Sequence, residues 1–224
     1  MQRVCLVTGG ARGIGRATCL ALARDGWDVA VNYRARAEEA ATVVAAVQAL
    51  GRRAVAVGGD VAREADVVEM TRAAVDGLGP LTGLVCSAGV SLQSPCADLE
   101  AAALERLFAV NVIGLMLGCR EAVRRMSTAR GGAGGAIVAI SSMAATIGGR
   151  PGASAYAASK GAVDVFVTGL AKEVAAEGIR VNVVRPGVTL TDMTAGVRDD
   201  PLRLKAVAAT IAMQRAGQPE EIAE

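Results

Sequence analysis

Six short apolar runs without polar alternation constrain the fold of this chain more than any other feature. They are VCLVT (4–8), DVAVNY (28–33), AVAVGGD (54–60), GLVCSAG (83–89), AIVAISS (136–142) and IRVNVVRPG (179–187). Strands of this kind are buried on both faces, as in a parallel sheet that is covered by helices.

Longer amphipathic stretches separate these runs. Helical patterns cover about 14–25, 38–50, 64–78, 100–126 and 154–176. Alternating strands and helices with right-handed crossovers predict an α/β fold: a doubly wound, Rossmann-like parallel sheet with helices on both faces. The 224 residues contain no repeat, linker or low-complexity block, so residues 1–224 are expected to form a single domain.

The composition excludes several kinds of chemistry. The chain has no histidine, which rules out Ser-His-Asp hydrolysis and His-Glu-x-x-His metalloproteases. Proton transfer must therefore use Tyr, Lys, a carboxylate or water, and no metal site is predicted. The balance of 24 basic and 22 acidic residues argues against a nucleic-acid partner.

Cysteine usage and hydropathy suggest a cytoplasmic protein. The five cysteines form no C-x-x-C pair, and Cys5, Cys19 and Cys119 fall in apolar periodic stretches, which favours small core residues over reactive thiols. The apolar start of the chain is too short for a signal peptide. The longest apolar stretch, LFAVNVIGLMLGC, contains Asn111 and is shorter than the ~20 residues of a membrane helix. No membrane partner is therefore predicted.

A glycine-rich turn, TGGARGIG (8–15), follows the first strand and opens the first helix. Gly9 suits a tight turn, Gly13 leaves room for a pyrophosphate at backbone N–H groups, and Gly15 permits close packing of helix and strand. Ile14 lies within the same turn. Such spacing alone also fits a flexible loop, but its place in the first β–α unit predicts a dinucleotide site.

The end of the second strand indicates which dinucleotide. It reads Asn32-Tyr33-Arg34 and lacks the carboxylate that usually binds the ribose of NAD. Arg12 and Arg34 could together face the additional phosphate of NADP, whereas Arg36 is expected to be solvated. We expect NADP(H) to be preferred, with NAD(H) possible, and Tyr33 to pack near the adenine.

Taken in order, the motifs resemble the short-chain dehydrogenase/reductase family over essentially the whole chain. The motifs are TGGARGIG, GDV (59–61), SAG (87–89), Asn111 in VNVIG, ISS (140–142), YAASK (156–160) and RPGVTLTDM (185–193). Within the family, the chain is most similar to 3-oxoacyl-carrier-protein reductases and to glucose 1-dehydrogenase-like members.

The resemblance implies a role for each matching residue. Asp60 and Val61 would contact the adenine ring, and Ala88 and Gly89 would lie beside a ribose. The catalytic positions would be Asn111, Ser142, Tyr156 and Lys160. The segment that lines the nicotinamide would contribute Pro186, Gly187, Thr189 and Thr191.

Two departures from the family pattern are visible. Ser87 stands where the family usually has asparagine, so hydrogen bonding that steadies the central sheet is in question. Family members also continue beyond QRAGQPEEIAE into a last strand at the sheet edge. We therefore expect an exposed edge, either because the chain has been cut short or because this member manages without that strand.

Tyr156 and Lys160 stand four residues apart and share one face of the predicted helix. A tyrosine pKa lies near ~10, and lowering it by about two units requires about 2.7 kcal/mol. An ammonium at ~4 Å supplies about 4 kcal/mol at an effective dielectric of about 20. We therefore expect Lys160 to lower the pKa of Tyr156, with the positive nicotinamide ring adding to the shift.

These residues suggest carbonyl–alcohol interconversion by hydride transfer. Tyr156 would exchange a proton with the substrate oxygen, Ser142 would hydrogen-bond that oxygen, and Lys160 would bind the ribose hydroxyls. By resemblance, Asn111 would hold a water beside the lysine. Taken singly, each could instead serve packing or helix capping.

The segment 191–214 is expected to close over a small-molecule substrate as a lid. Its apolar members suggest a partly apolar pocket: Met193, Val197, Leu202 and Met213. Its basic members are more simply read as solvated than as a site for an anionic carrier: Arg198, Arg203 and Lys205. A β-ketoacyl substrate and a sugar both remain open, and the rival function is a non-catalytic NADP(H)-sensing protein. By family likeness, the helices near 100–126 and 154–176 would build a homodimer or homotetramer.

Overall fold

The computed structural model describes residues 3–224, and its centre is one six-stranded sheet. The strands are β1 (Val4–Thr8), β2 (Asp28–Tyr33), β3 (Ala54–Gly58), β4 (Gly83–Cys86), β5 (Gly135–Ile140) and β6 (Ile179–Val184). All neighbouring strands pair in parallel, in the order β3-β2-β1-β4-β5-β6. The doubly wound sheet is therefore confirmed. Its strand order reverses between β1 and β4, where such sheets bind ligands.

Helices cover both faces of the sheet. They are α1 (Gly13–Arg24), α2 (Ala37–Ala49), α3 (Glu64–Leu78), α4 (Ala101–Phe108), α5 (Gly114–Met126), α6 (Ala144–Ile147), α7 (Ser154–Val174), α8 (Ala195–Arg198), α9 (Pro201–Ala208) and α10 (Pro219–Ala223). One apolar core joins the sheet to α3, α5 and α7, and a second joins it to α1 and α2. Cys5, Cys19 and Cys119 are buried in these cores, as predicted.

The predicted single helix at 100–126 has an interruption. A π-helical turn, Ala109–Ile113, connects α4 to α5 and contains Asn111. The apolar stretch LFAVNVIGLMLGC lies within a longer helical segment. Ala101–Met126 has 26 residues and a window of mean hydropathy 1.6, enough to cross a membrane by length and composition alone. However, Leu115 and Cys119 pack into the core, so we interpret it as a core helix.

Four predicted strands end earlier than their apolar runs. β3 ends at Gly58, β4 at Cys86, β5 at Ile140 and β6 at Val184, and the residues that follow form loops. The sequence pattern therefore extended each strand into its neighbouring loop.

The last part of the chain folds back on the sheet. Gly217 pairs with the segment after β6, exchanging backbone hydrogen bonds of 2.9 Å with Val188 and Leu190. From there α10 packs against α1. Within residues 3–224, β6 pairs only with β5 and leaves Arg180 and Asn182 exposed, so it forms the expected open edge.

Candidate active site

The glycine turn is shaped by contacts at short range. Gly9 has a φ of 65°, and a Cβ there would lie 2.9 Å from the Cα of Ala88. A Cβ on Gly15 would lie 2.2 Å from the carbonyl oxygen of Gly9. Gly15 is thus required for the turn to close on itself, whereas the sequence suggested close packing of helix on strand. Half-buried Ile14 accepts a hydrogen bond of 2.8 Å from Thr18 through its carbonyl oxygen.

Gly13 brings the turn against the segment that follows β6. Its φ is 52°, and a Cβ there would lie 3.3 Å from Cγ2 of Thr191. Two predicted binding segments that are far apart in sequence therefore meet here. The turn also borders a cavity of about 370 Å³ that is lined in part by Arg12, Thr191 and Arg198.

Thr8 fixes the loop that carries Ser87. Its hydroxyl accepts hydrogen bonds from the backbone N–H groups of Ser87 (3.1 Å) and Ala88 (3.2 Å). The loop after β4 is therefore tied to β1 by a threonine. Sequence reasoning missed Thr8, although a polar residue at the end of a buried strand was the available signal.

Asn32 plays a similar part on the other side of the turn. Its side chain accepts from the N–H of Gly9 (3.1 Å) and donates to the carbonyls of Val57 (3.2 Å) and Gly59 (3.1 Å). It is 2% exposed, so these bonds replace all its contacts with water. In the sequence, Asn32 was noted only because the end of the second strand carries no acidic residue. That its side chain positions the glycine turn was not predicted.

The predicted adenine contacts lie beyond β3. Asp60 accepts hydrogen bonds from the N–H of Ala62 (3.0 Å) and, in an ion pair of 2.9 Å, from Arg106. Burial favours the neutral acid, but these bonds together with Arg34 outweigh it and lower the pKa of Asp60. Val61 is buried beside it.

Tyr33 and the two predicted phosphate ligands lie at the ends of their elements. Tyr33 is half-buried, and its ring packs against Gly58. Arg34 is 61% exposed and reaches to 4.0 Å from Asp60. Arg12 is 52% exposed and pairs with Asp192 at 3.1 Å.

Lys160 and Tyr156 lie one turn apart on α7, as the spacing predicts. The ammonium of Lys160 donates to the carbonyl of Ile140 at 2.8 Å, at the end of β5. It lies 5.9 Å from the centre of the Tyr156 ring. A Cβ on Gly89 would lie 3.8 Å from this ammonium, so the loop after β4 passes directly beside it.

The electrostatics of this pair differ from the expectation. Burial raises the pKa of Tyr156, and a hydrogen bond with Ser142 opposes the rise only in part. Burial likewise lowers the pKa of Lys160 to about 8, against the opposing influence of Cys86 and Asp164. The expected lowering of the tyrosine pKa by an ammonium at ~4 Å is therefore wrong for the structure as described, because desolvation dominates both groups.

Ser142 is placed by the start of α6. Its hydroxyl accepts a hydrogen bond from the N–H of Ala144 at 3.1 Å and interacts with Tyr156. The structure therefore brings three of the four predicted catalytic side chains, those of Ser142, Tyr156 and Lys160, to the carboxyl end of β5.

Asn111 lies behind this group and is 1% exposed. Its amide accepts from the N–H of Val90 (2.8 Å) and donates to the Val90 carbonyl (2.9 Å) and to Ser159 (3.1 Å). Both amide hydrogens are thus committed to joining the loop after β4 to α7. The oxygen keeps one acceptor position. Holding a water beside Lys160 stays a prediction.

The predicted nicotinamide segment forms a compact loop. The carbonyl of Pro186 accepts from the N–H of Met143 at 2.9 Å, which joins it to the Ser142 side of the site. Thr189 is buried and donates to the carbonyl of Gly187 at 3.3 Å. Further along, Thr191 donates its N–H to the side chain of Thr194 at 3.0 Å.

The predicted lid contains α8 and α9 and remains open to solvent. Three of its apolar side chains are exposed, by 50% at Met193, 81% at Leu202 and 70% at Met213, while Val197 is half-buried. Its basic residues are all in part exposed, and Arg198 and Arg203 form ion pairs with lid carboxylates.

Comparison with known proteins identifies close similarities over the whole chain. A family model described as short chain dehydrogenase matches residues 3–202. An uncharacterized oxidoreductase of Escherichia coli strain K12 is 46% identical over 99% of this chain and 90% of its own length. A glucose 1-dehydrogenase of Gluconobacter oxydans is 39% identical, with 98% and 81% covered. A 3-oxoacyl-[acyl-carrier-protein] reductase of Synechocystis is 36% identical, with 99% and 86% covered.

Solved structures give the same result. A short chain dehydrogenase from Burkholderia cenocepacia in complex with NADP superimposes with a TM-score of 0.89 at 36% identity, over 99% of this chain and 87% of that one. A blue fluorescent protein from a metagenomic library, in complex with NADPH, superimposes with a TM-score of 0.90 at 35% identity and the same coverage.

Proposed function

Because this chain belongs to the short-chain dehydrogenase family and is an oxidoreductase, we propose that it interconverts a carbonyl group and a secondary alcohol with NADP(H). The observation that supports this most is the convergence of Ser142, Tyr156 and Lys160 at the end of β5. They lie beside the loop after β4, which in turn contacts the glycine turn at Gly9.

The preference for NADP(H) rests on two features. The second strand ends without a carboxylate, and two partly exposed arginines are nearby: Arg12 within the glycine turn and Arg34 directly after β2. Structural relatives in complex with NADP or NADPH support the same choice. When bound, the cofactor supplies or accepts the hydride. Binding of NAD(H) stays a prediction.

In the proposed mechanism Tyr156 is the proton donor for reduction. Its raised pKa keeps the phenol protonated near neutral pH, which is the form a donor needs. Ser142 hydrogen-bonds the substrate oxygen and fixes it near the phenol. Once the phenol has lost its proton, the Lys160 ammonium stabilises the phenolate, and Asn111 holds the neighbouring loop in place.

The surroundings of Ser142 favour a substrate with an apolar substituent. Met143 and Ile147 lie one helical turn apart at α6 and are 42% and 68% exposed. An exposed pair of this kind beside the reacting position suits a ketone or an acyl chain. We therefore place ketones and 3-oxoacyl thioesters ahead of sugars, although relatives named for both classes are known.

The rival function is an NADP(H)-sensing protein without catalysis. It would use the glycine turn, but it would have no need for a tyrosine, a lysine and a serine held together. For the same reason we favour an enzyme with a small-molecule substrate. A cytoplasmic location stays a prediction.

A substrate panel read by nicotinamide absorbance tests the proposal. We expect NADPH oxidation with ketones or 3-oxoacyl thioesters, and a higher kcat/KM with NADPH than with NADH. Turnover with aldoses alone would overturn the substrate class. Tight NADPH binding with no turnover across ketones, thioesters, quinones and sugars would favour the sensor.

A further inference from the structure

Both arginines proposed for the extra phosphate of NADP already have carboxylate partners. Nη1 of Arg12 lies 3.1 Å from Oδ2 of Asp192, and Nη1 of Arg34 lies 4.0 Å from Oδ2 of Asp60. A phosphate bound by either guanidinium would compete with that carboxylate for the positive charge and for the N–H donors. A carboxylate left unpaired beside a bound phosphate would oppose binding.

Each of these two carboxylates has a second arginine. Nη1 of Arg198 lies 3.2 Å from Oδ1 of Asp192, the oxygen that Arg12 does not use. Nη2 of Arg106 lies 2.9 Å from Oδ2 of Asp60. The two sites thus share one arrangement, in which one arginine is predicted to turn to the phosphate and another stays with the carboxylate.

The second arginines are themselves held in place. Arg198 donates from Nε and Nη2 to the carboxylate of Asp199, at 2.7 and 3.2 Å, which leaves Nη1 directed at Asp192. Arg106 projects from α4, and the other oxygen of Asp60 accepts from the N–H of Ala62. Arg36 also lies close enough to Asp192 to interact with its charge.

We propose that Arg198 and Arg106 are specificity-determining positioning residues for NADP(H). They neutralise Asp192 and Asp60 when Arg12 and Arg34 turn to the phosphate, and so lower the cost of that change. The inference rests on the proposed NADP(H) preference. All four arginines are more than a third exposed, so each effect is modest, about two- to fivefold in affinity.

The test compares two probes that differ in the additional phosphate. Adenosine 2′,5′-bisphosphate and adenosine 5′-monophosphate are titrated into the full chain by calorimetry. Arg198→Gln is expected to weaken bisphosphate binding about two- to fivefold, whereas Asp192→Asn is expected to strengthen it by a similar factor. Binding of the monophosphate should stay unchanged in both.

Combining Asp192→Asn with Arg198→Gln distinguishes an effect of Arg198 through Asp192 from a direct contact of Arg198 with the phosphate. In the Asp192→Asn background, Arg198→Gln should no longer weaken bisphosphate binding, because the carboxylate that competes for Arg12 is gone. An equal loss in both backgrounds would mean that Arg198 acts on the phosphate itself and would overturn the proposal. Weaker bisphosphate binding in both Arg198→Gln and Asp192→Asn would indicate that the ion pair has a structural role, and that result would also overturn the proposal.

Arg106→Gln tests the second of the two sites, and Arg72→Gln is the matched control. Arg72 also bridges two carboxylates, Glu69 and Asp76, but on the exposed face of α3. Arg106→Gln should reduce the preference for the bisphosphate, and Arg72→Gln should not. If the unaltered chain prefers the bisphosphate but neither Arg106→Gln nor Arg198→Gln changes its affinity, this inference is wrong while the proposed function stands. An unaltered chain that binds both probes equally would end the proposed NADP(H) preference and this inference together.

Discussion

At the scale of single residues, burial dominates the chemistry of the site. Lys160 is 5% exposed and donates to a backbone carbonyl, and Tyr156 packs within 5.9 Å of its ammonium. Desolvation moves both pKa values toward the uncharged forms, up for the phenol and down for the ammonium. The site as described therefore favours donation of a proton over its removal.

The pH dependence of carbonyl reduction follows from these directions. Because the pKa of Lys160 is about 8, while that of Tyr156 lies above its ordinary value, the lysine is the first of the two to lose its proton as pH rises. We expect kcat/KM for reduction to be constant well below pH 8 and to fall as pH passes through about 8. The kcat/KM profile reports these groups in the free enzyme.

Lys160→Arg tests the assignment of that fall. Arginine keeps its charge over the accessible range, so the decrease in kcat/KM should move to higher pH, where Tyr156 deprotonates. A fall that remains near pH 8 in the arginine variant would show that another group controls it.

At the scale of elements, the ends of β1 and β2 hold the loops of the site. Thr8→Val removes the acceptor for the N–H groups of Ser87 and Ala88. An unpaired buried donor costs about 1–3 kcal/mol, and Ser87 and Ala88 are half-buried, so we expect a loss of about 1 kcal/mol in the free energy of unfolding and a higher KM for NADPH. Urea denaturation and initial rates measure the two effects.

Thr42→Val is the matched control for Thr8→Val. Its hydroxyl donates to the backbone carbonyl of Glu38 on the exposed face of α2, and a surface change of this kind is usually within about 0.5 kcal/mol. Equal stability losses in the two variants would contradict the role assigned to Thr8.

Periodicity and spacing predicted most of the fold from the sequence, and the reason is physical. Buried parallel strands and amphipathic helices leave local patterns, so all six strands and the five long helical regions were expected where they occur. The π-helical turn at Asn111 was not predicted, because it accompanies hydrogen bonds of the Asn111 side chain to Val90 and Ser159, which are distant in sequence.

The site was partly predictable for the same reason. Helical spacing placed Tyr156 and Lys160 on one face, but no spacing reveals how far desolvation shifts a pKa. The ion pairs of Arg12 with Asp192 and of Arg106 with Asp60 join segments far apart in sequence. Such pairings appear only once the chain is folded.

At the scale of the whole molecule, self-association is the open expectation. Ile113 is 51% exposed at the α4–α5 junction, and Val165 is 75% exposed on α7. These are the two helical regions that family likeness places across a two-fold axis. We expect light scattering to give two or four times the chain mass of 22.6 kDa.

Val165→Glu tests this surface directly. A charge in an apolar contact should shift the mass toward one chain, whereas Val68→Glu, at a valine 38% exposed on α3, should leave it unchanged. A mass of one chain for the unaltered protein would contradict the expected oligomer.

The central claim, proton transfer by Tyr156 during hydride transfer, is tested most directly by a single turnover of Tyr156→Phe with NADPH already bound. We expect the rate of NADPH oxidation to fall by about 10²–10⁴, the usual range for a lost general acid, while calorimetry shows NADPH affinity nearly unchanged. An oxidation rate in the phenylalanine variant close to that of the unaltered protein would contradict the claim.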